Sequence, residues 1–176
     1  GDVGFGKTEV ALRAAFIAAM SGRQVAVLAP TTLLVRQHHR VFQERFQGFP
    51  LRLAMISRFV PQRQAAKVKD ELGRGELDIV IGTHALLGKS VAFKNLGLLI
   101  VDEEQHFGVA HKERLKQLRA EVHVLTMTAT PIPRTLQMSL GGLKDLSIIA
   151  TPPVDRLAVR SFVMPVDQVV IREALM

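Results

Sequence analysis

Short apolar runs alternate with helix-like stretches along this chain, and four of the runs end in a small polar cluster. QVAVLA (24–29) leads to Pro30-Thr31-Thr32 and DIVI (78–81) to Gly82-Thr83-His84. LLIV (98–101) leads to Asp102-Glu103-Glu104-Gln105, and HVLTM (123–127) to Thr128-Ala129-Thr130-Pro131. The runs lack strict in–out alternation, as expected of strands covered on both faces. Strands separated by helices specify βαβ units, hence an α/β fold with a mostly parallel sheet and helices on both faces. In such sheets ligands bind just beyond the carboxyl ends of the strands. The four polar clusters therefore share one rim, and a site is expected there.

The remaining pattern fills in the layers. Helices are expected at 7–20, 33–46, 61–72, 112–119 and 169–176, and strands at 24–29, 51–56, 78–81, 96–101, 122–127, 147–150 and 158–164. In the first helix Val10, Ala11, Ala14, Ile17 and Ala18 are expected to share the buried face. Gly73 is the expected stop of the third. Pro152-Pro153 reads as the start of a linker, which divides the chain into a domain at 1–150 and a linker with the beginning of another domain at 151–176. The chain begins at Gly1 inside a glycine-rich pattern and ends in a helix-like stretch, so it reads as a piece of something longer, truncated at both ends.

Composition narrows the function. With 176 residues and 48% apolar content the chain can bury a core unaided. It has no cysteine, which excludes disulfides, thiolate metal sites and cysteine nucleophiles. No membrane span or signal peptide is visible, so a soluble, cytoplasmic domain is expected. Lys and Arg number 23 against 16 Asp and Glu, a net charge of +7 that suits an anionic partner. There is no Trp or Tyr, so a nucleic acid would be gripped through phosphates more than by stacking.

Gly1-Asp2-Val3-Gly4-Phe5-Gly6-Lys7-Thr8 fits G-x-x-x-x-G-K-[ST] in full. The glycines let backbone N–H groups face a phosphate chain, and the following helix aims its positive end at the same anion. Lys7 would reach the β and γ phosphates, and the Thr8 hydroxyl would ligate Mg²⁺. The competing reading is a flexible tail. Asp102 and Glu103 stand where a nucleotide hydrolase places its acidic motif: Asp102 for the metal, Glu103 to orient and deprotonate water. An acidic turn into the next helix is the plain alternative, and Glu104 reads as structural.

Other polar residues divide between two roles. Thr128 and Thr130 read either as a plain strand end turned by Pro131 and Pro133 or, on the same rim as the acidic cluster, as hydroxyls that bond Gln105 and report nucleotide state. Thr31, Thr32, Thr83 and His84 suit phosphate oxygens, against ordinary helix capping. Ser57-Arg58 ends another strand-like run and can reach a backbone phosphate. Arg36, Arg40 and Arg45 read as a solvated helix face. The histidines His38, His39, His106, His111 and His123 show no metal-ligand spacing.

The segments GDVGFGKTEVALRAAF, PTTLLVRQH, MISRF, IGTHALL, GLLIVDEEQHFGV and TATPIPRTLQMSLGGLKDLSIIATPP cover nearly the whole chain. In this order they resemble the first motor domain of superfamily 2 helicases and translocases. Within that superfamily they resemble the bacterial transcription-repair coupling factors most, with the RecG branch-migration helicases as the next relatives. Phe5, the pair Glu103-Glu104 and LKDLSIIATPP favour the former. The resemblance implies a RecA-like P-loop NTPase fold lacking its first strand, with a second motor domain beginning after the linker. It implies an ATP-driven double-stranded DNA translocase, acting with RNA polymerase and excision-repair proteins through domains outside this chain. By motif, Gly1 to Thr8 and Gln105 would hold ATP, and Thr8 and Asp102 its Mg²⁺. Lys7, Asp102 and Glu103 would carry hydrolysis, and Thr128 and Thr130 coupling. Thr31, Thr32, Arg58, Thr83 and His84 would line the DNA track. Gln105-His106 departs from the His-Arg of many members. The chain alone is expected to bind nucleotide weakly with negligible turnover. A fork-remodelling helicase and a non-catalytic nucleotide- or DNA-binding module are the alternatives.

Overall fold

The computed structural model describes residues 1–88, 90–103, 107, 122–129, 147–154, 156 and 163–175. Among these, five strands form one sheet: β1 (Gln24–Leu28), β2 (Leu53–Ile56), β3 (Ile79–Gly82), β4 (Leu96–Asp102) and β5 (His123–Met127). Helix α1 (Lys7–Met20) precedes β1, helices α2 (Thr32–Arg45) and α3 (Gln62–Arg74) link β1 to β2 and β2 to β3, a 3₁₀ turn spans His84–Leu87, and α4 (Gln168–Leu175) lies near the end of the chain. The strand order is β2-β3-β1-β4-β5 and every pairing is parallel. All five carboxyl ends therefore share one edge of the sheet.

The central strands β1 and β3 are buried along their whole length. Alternate side chains feed two cores. Val25, Val27, Ile79, Ile81, Leu98 and Ile100 pack against α1 and α2, with Phe42 fully buried among them. Ala26, Leu28, Val80, Leu99 and Val101 face the other way, toward Val68 and Leu72 of α3 and Leu86 of the 3₁₀ turn. Both faces of the sheet are covered, which is why the strands read as unbroken apolar runs.

Several expected details change. In α1 the buried residues are Ala11, Leu12, Ala15 and Ala19, while Val10 and Ile17 are exposed. The helix is apolar on nearly every side, so periodicity could not select the face; small alanines let it lie close on the sheet. α3 runs through Gly73 and stops at Gly75, whose φ of 76° is left-handed. There Glu76 N–H reaches Glu71 C=O at 2.9 Å, closing the last turn. β2 starts at Leu53 because Arg52 N–H is taken by the Asp78 carboxylate at 2.7 Å. The strand expected at 147–150 is not formed, since Ser147, Ile148, Ile149 and Ala150 join no ladder. The expected helix at 112–119 lies outside the described residues, as does most of the strand expected at 158–164; its last residues, Val163 and Met164, are not in a strand.

Candidate functional site

The loop before α1 closes on Asp2. Its carboxylate accepts from Val3 N–H at 2.7 Å, and its carbonyl accepts from Phe5 N–H at 3.2 Å. Gly4 and Gly6 take φ of 77° and 80°, the left-handed region that glycine enters without steric cost. Gly6 is also the N-cap of α1, and no side chain caps that helix start. Lys7 Nζ donates to the carbonyls of Gly1 at 2.7 Å and Asp2 at 2.8 Å, so its ammonium sits within the bend of the loop. A cation and a helix N-terminus thus converge on one short turn, an arrangement suited to an anion. Arg156 reaches this loop from beyond the proline pair. Its guanidinium lies 4.8 Å from the Phe5 ring centre and 3.7 Å from the Asp2 carboxylate.

α1 turns directly into β1 through Ser21-Gly22-Arg23. It runs back along the sheet, which brings its start to the carboxyl ends of the strands. Thr8, Glu9 and Leu12 of α1 and Val41, Glu44 and Arg45 of α2 line a shallow cleft of about 390 Å³. Glu9 bridges the two helices, pairing with Arg13 at 2.9 Å and with Arg45. The hydrogen bond from Arg13, with that from Arg45, holds the Glu9 carboxyl below its ordinary range. One turn before Val41, His38 Nε2–H donates to Asp102 Oδ2 at 2.9 Å. Residues three apart are neighbours on a helix surface. The cleft that Thr8 lines is therefore one turn of α2 away from the histidine that bonds Asp102.

The two carboxylates at the end of β4 go separate ways. Asp102 continues the series Leu98, Ile100 that faces α1 and α2. Glu103 has φ 49°, the one left-handed non-glycine residue among those described, a conformation costing on the order of 1 kcal/mol. Its N–H donates to Met127 C=O at 2.9 Å, and its carboxylate accepts from Thr128 Oγ1–H and Ala129 N–H, both at 3.0 Å. Glu103 is thus turned onto the end of β5.

These donors fit a magnesium–nucleotide. Mg²⁺ takes hard oxygens and is usually held by one or two carboxylates together with substrate phosphates and water; Asp102 and the Thr8 hydroxyl are such donors. Among the described residues no cluster of three or more His, Asp or Glu forms a self-sufficient metal cage. A substrate-carried ion needs none.

The residues assigned to a DNA track sit at the ends of β1, β2 and β3, on the same edge. Thr31 caps α2, its Oγ1 accepting from Leu34 N–H at 3.2 Å, and Thr32 opens the helix. Thr83 caps the 3₁₀ turn, accepting from Ala85 N–H at 3.5 Å. Capping is therefore present, and each hydroxyl keeps its hydrogen for a second partner. His84 is exposed beside it. The Ser57 hydroxyl is buried with no partner among the described residues, and Arg58 lies 5.1 Å from the Phe59 ring centre. Thr128 is found on Glu103. Glu104, Gln105 and Thr130 lie outside the described residues. Sequence reasoning passed over two residues at this edge, His38 and Arg156. For His38 a signal exists: with Val35 and Phe42 it completes a buried i, i+3, i+7 stripe, where a histidine is out of place unless bonded.

The model of the DEAD/DEAH box helicase family matches residues 1–139. The chain belongs to that family. As a helicase-type ATPase domain it uses a nucleotide, and the phosphate loop and the β4 carboxylates lie within the matched span. The chain is 59% identical over its whole length to the transcription-repair-coupling factor of Escherichia coli (strain K12), of which it spans 15%. It is 55% identical over 99% of its length to that of Bacillus subtilis (strain 168), again spanning 15%. Among solved structures it is similar to RecG bound to a three-way DNA junction, with TM-score 0.80 and 37% identity, covering 99% of this chain and 23% of that one. A DEAD box protein from Methanococcus jannaschii has TM-score 0.61 at 18% identity, covering 80% of this chain and 40% of that one, and shares the fold. Among the described residues, no helix is long and apolar enough to cross a membrane.

Proposed function

We propose that this chain is the nucleotide-binding half of an ATP-driven double-stranded DNA translocase that serves transcription-coupled repair. The observation that carries the reading is 59% identity to a transcription-repair-coupling factor along the entire chain. Residues 1–150 form the first motor domain, and 151–176 the linker and the start of the second. The phosphate loop from Gly1 to Thr8 cradles the triphosphate, with Lys7 leaving its two loop carbonyls for the β and γ phosphates. Thr8 and Asp102 hold magnesium, which when bound neutralises charge on the phosphate oxygens. Glu103, fixed by Thr128 and Ala129, accepts the proton of the attacking water. Gln105 assists at the nucleotide, and Thr128 and Thr130 carry its state to the DNA side. There Thr31, Thr32, Arg58, Thr83 and His84 meet backbone phosphates. RNA polymerase and excision-repair proteins are engaged through other parts of the protein, which works in the cytoplasm.

The decisive experiment is phosphate release by the full-length protein with and without duplex DNA. Duplex DNA should stimulate it, and Lys7→Ala should abolish it. Glu103→Gln should keep nucleotide binding and lose turnover by 100-fold or more, the order of a general-base contribution. Turnover indifferent to DNA would refute the translocase reading. The structural likeness to RecG favours one second reading, a fork remodeller. Release of a stalled RNA polymerase from duplex DNA supports the first reading; activity confined to branched DNA supports the second. The isolated chain should show negligible turnover, since an arginine from a second domain is typically worth 10³ or more in rate.

A further inference from the structure

His38 sits on α2 with its side chain 8% exposed, and Asp102, its partner, is 13% exposed. A buried imidazole in an apolar stripe is costly unless its nitrogens are bonded, and here Nε2 meets Oδ2 at 2.9 Å. A carboxylate can only accept, so the bond fixes the proton on Nε2. It also fixes which oxygen of Asp102 is occupied. Oδ2 is held against α2, and Oδ1 is the oxygen left for another partner. Val35 and Phe42, one turn to either side of His38, are fully buried. The imidazole therefore has a rigid mount.

We propose that His38 is a positioning residue for Asp102: by anchoring Oδ2 it presents the other carboxylate oxygen to the metal carried by the nucleotide. This rests on the reading of Asp102 as a metal-binding carboxylate. Partners that orient metal-ligating groups typically set metal affinity by 10–100-fold. The mount adds a second consequence. α2 begins at Thr32 and is capped by Thr31, the hydroxyls assigned to DNA, so the helix that would feel the duplex also grips the carboxylate.

The test compares two side chains of similar bulk in the full-length protein, His38→Gln, which retains an N–H donor, and His38→Leu, which does not. Val35→Ala on the same helix controls for loosened packing. Free Mn²⁺ is titrated in the presence of ADP, and bound ion is read by electron paramagnetic resonance. Separately, the Mg²⁺ concentration for half-maximal turnover is measured. His38→Leu should need about tenfold more Mn²⁺, His38→Gln should stay within about threefold of the parent, and Val35→Ala should lose thermal stability without shifting the metal titration. Equal titrations for His38→Leu and His38→Gln, or a shift in Val35→Ala as large as in His38→Leu, would overturn the proposal. Asp102→Asn separates the two readings. If it leaves Mn²⁺ binding unchanged, Asp102 is not the metal carboxylate and both fall. If it abolishes binding while the His38 variants match the parent, only the positioning role falls.

Discussion

Gln24 opens β1 yet is 4% exposed, and its amide joins three separate parts of the chain. Nε2 donates to Leu72 C=O at 2.9 Å and to Leu77 C=O at 3.0 Å; Oε1 accepts from Asn95 N–H at 2.9 Å. It thereby ties the end of α3 and the approaches to β3 and β4 to the first residue of the central strand. Gln24→Leu keeps the bulk and removes all three bonds. At a net value near 1 kcal/mol for each buried bond the loss is about 3 kcal/mol. Leu72 C=O retains Gly75 N–H at 3.1 Å, which softens the loss there, so about 2–3 kcal/mol is expected. For a chain of this size that lowers the melting temperature by about 5–10 °C. Gln24→Glu should be worse, since a carboxylate cannot donate to two carbonyls and sets a buried charge against them. Urea unfolding gives the free energies, and hydrogen exchange at the Asn95 amide reports the local bond. A Gln24→Leu chain within about 0.5 kcal/mol of the parent, or a Gln24→Glu chain as stable as it, would refute the claim that this amide clasps the sheet edge.

Three further outcomes are expected. Gly82→Ala places a Cβ 2.7 Å from both Ile56 C=O and Leu86 Cγ, so it should cost about 1–3 kcal/mol by overpacking, seen as a lower urea midpoint. Thr31→Ala removes the α2 cap and should cost about 1 kcal/mol, whereas Thr31→Asp keeps the cap but repels phosphate; retained stability with weaker, less salt-dependent duplex binding is the expected pair. Burial lowers the pKa of His39. The unfolded chain, near 6.5, then takes up a proton that the fold resists. The stability this residue contributes is present above about pH 7 and is lost as pH falls through the unfolded value toward the lower folded one. His39→Gln should flatten that part of the stability–pH curve, measured by melting from pH 8 to pH 5.

The parallel sheet was legible because its strands are short, apolar and punctuated. Each polar cluster after a run marks the place where the chain leaves the sheet, and parallel pairing brings those places together. What was not legible has physical causes. α1 is apolar on nearly every side, so Ala15 and Ile17 look alike in sequence although one is buried and the other exposed. Gly73 and Gly75 are equally good stops on paper. Only the left-handed backbone at Gly75, with its paired N–H bonds, decides between them. Ile148 and Ile149 have strand propensity and no ladder to join, because strand formation depends on a neighbour that local sequence does not specify. At the site, the types and spacing of Lys7, Thr8, Asp102 and Glu103 were visible. The contacts of His38 and Arg156, 64 and 151 positions from their partners Asp102 and Phe5, were not.

The left-handed turn at Glu103 sends two adjacent carboxylates to different elements of the fold. In an extended strand, successive side chains point to opposite faces, which would send Glu103 into the core around Leu99 and Val101. The φ of 49° takes it out of that alternation. Three hydrogen bonds to Met127, Thr128 and Ala129 then hold it at the end of β5, and together they exceed the modest cost of the backbone conformation. Asp102 is left to α2 through His38, and Glu103 to β5 through Thr128. Each carboxylate thus answers to a different element. On the proposed reading, in which hydrolysis uses both carboxylates, a displacement of α2 would redirect Asp102 and a displacement of the β5 end would redirect Glu103.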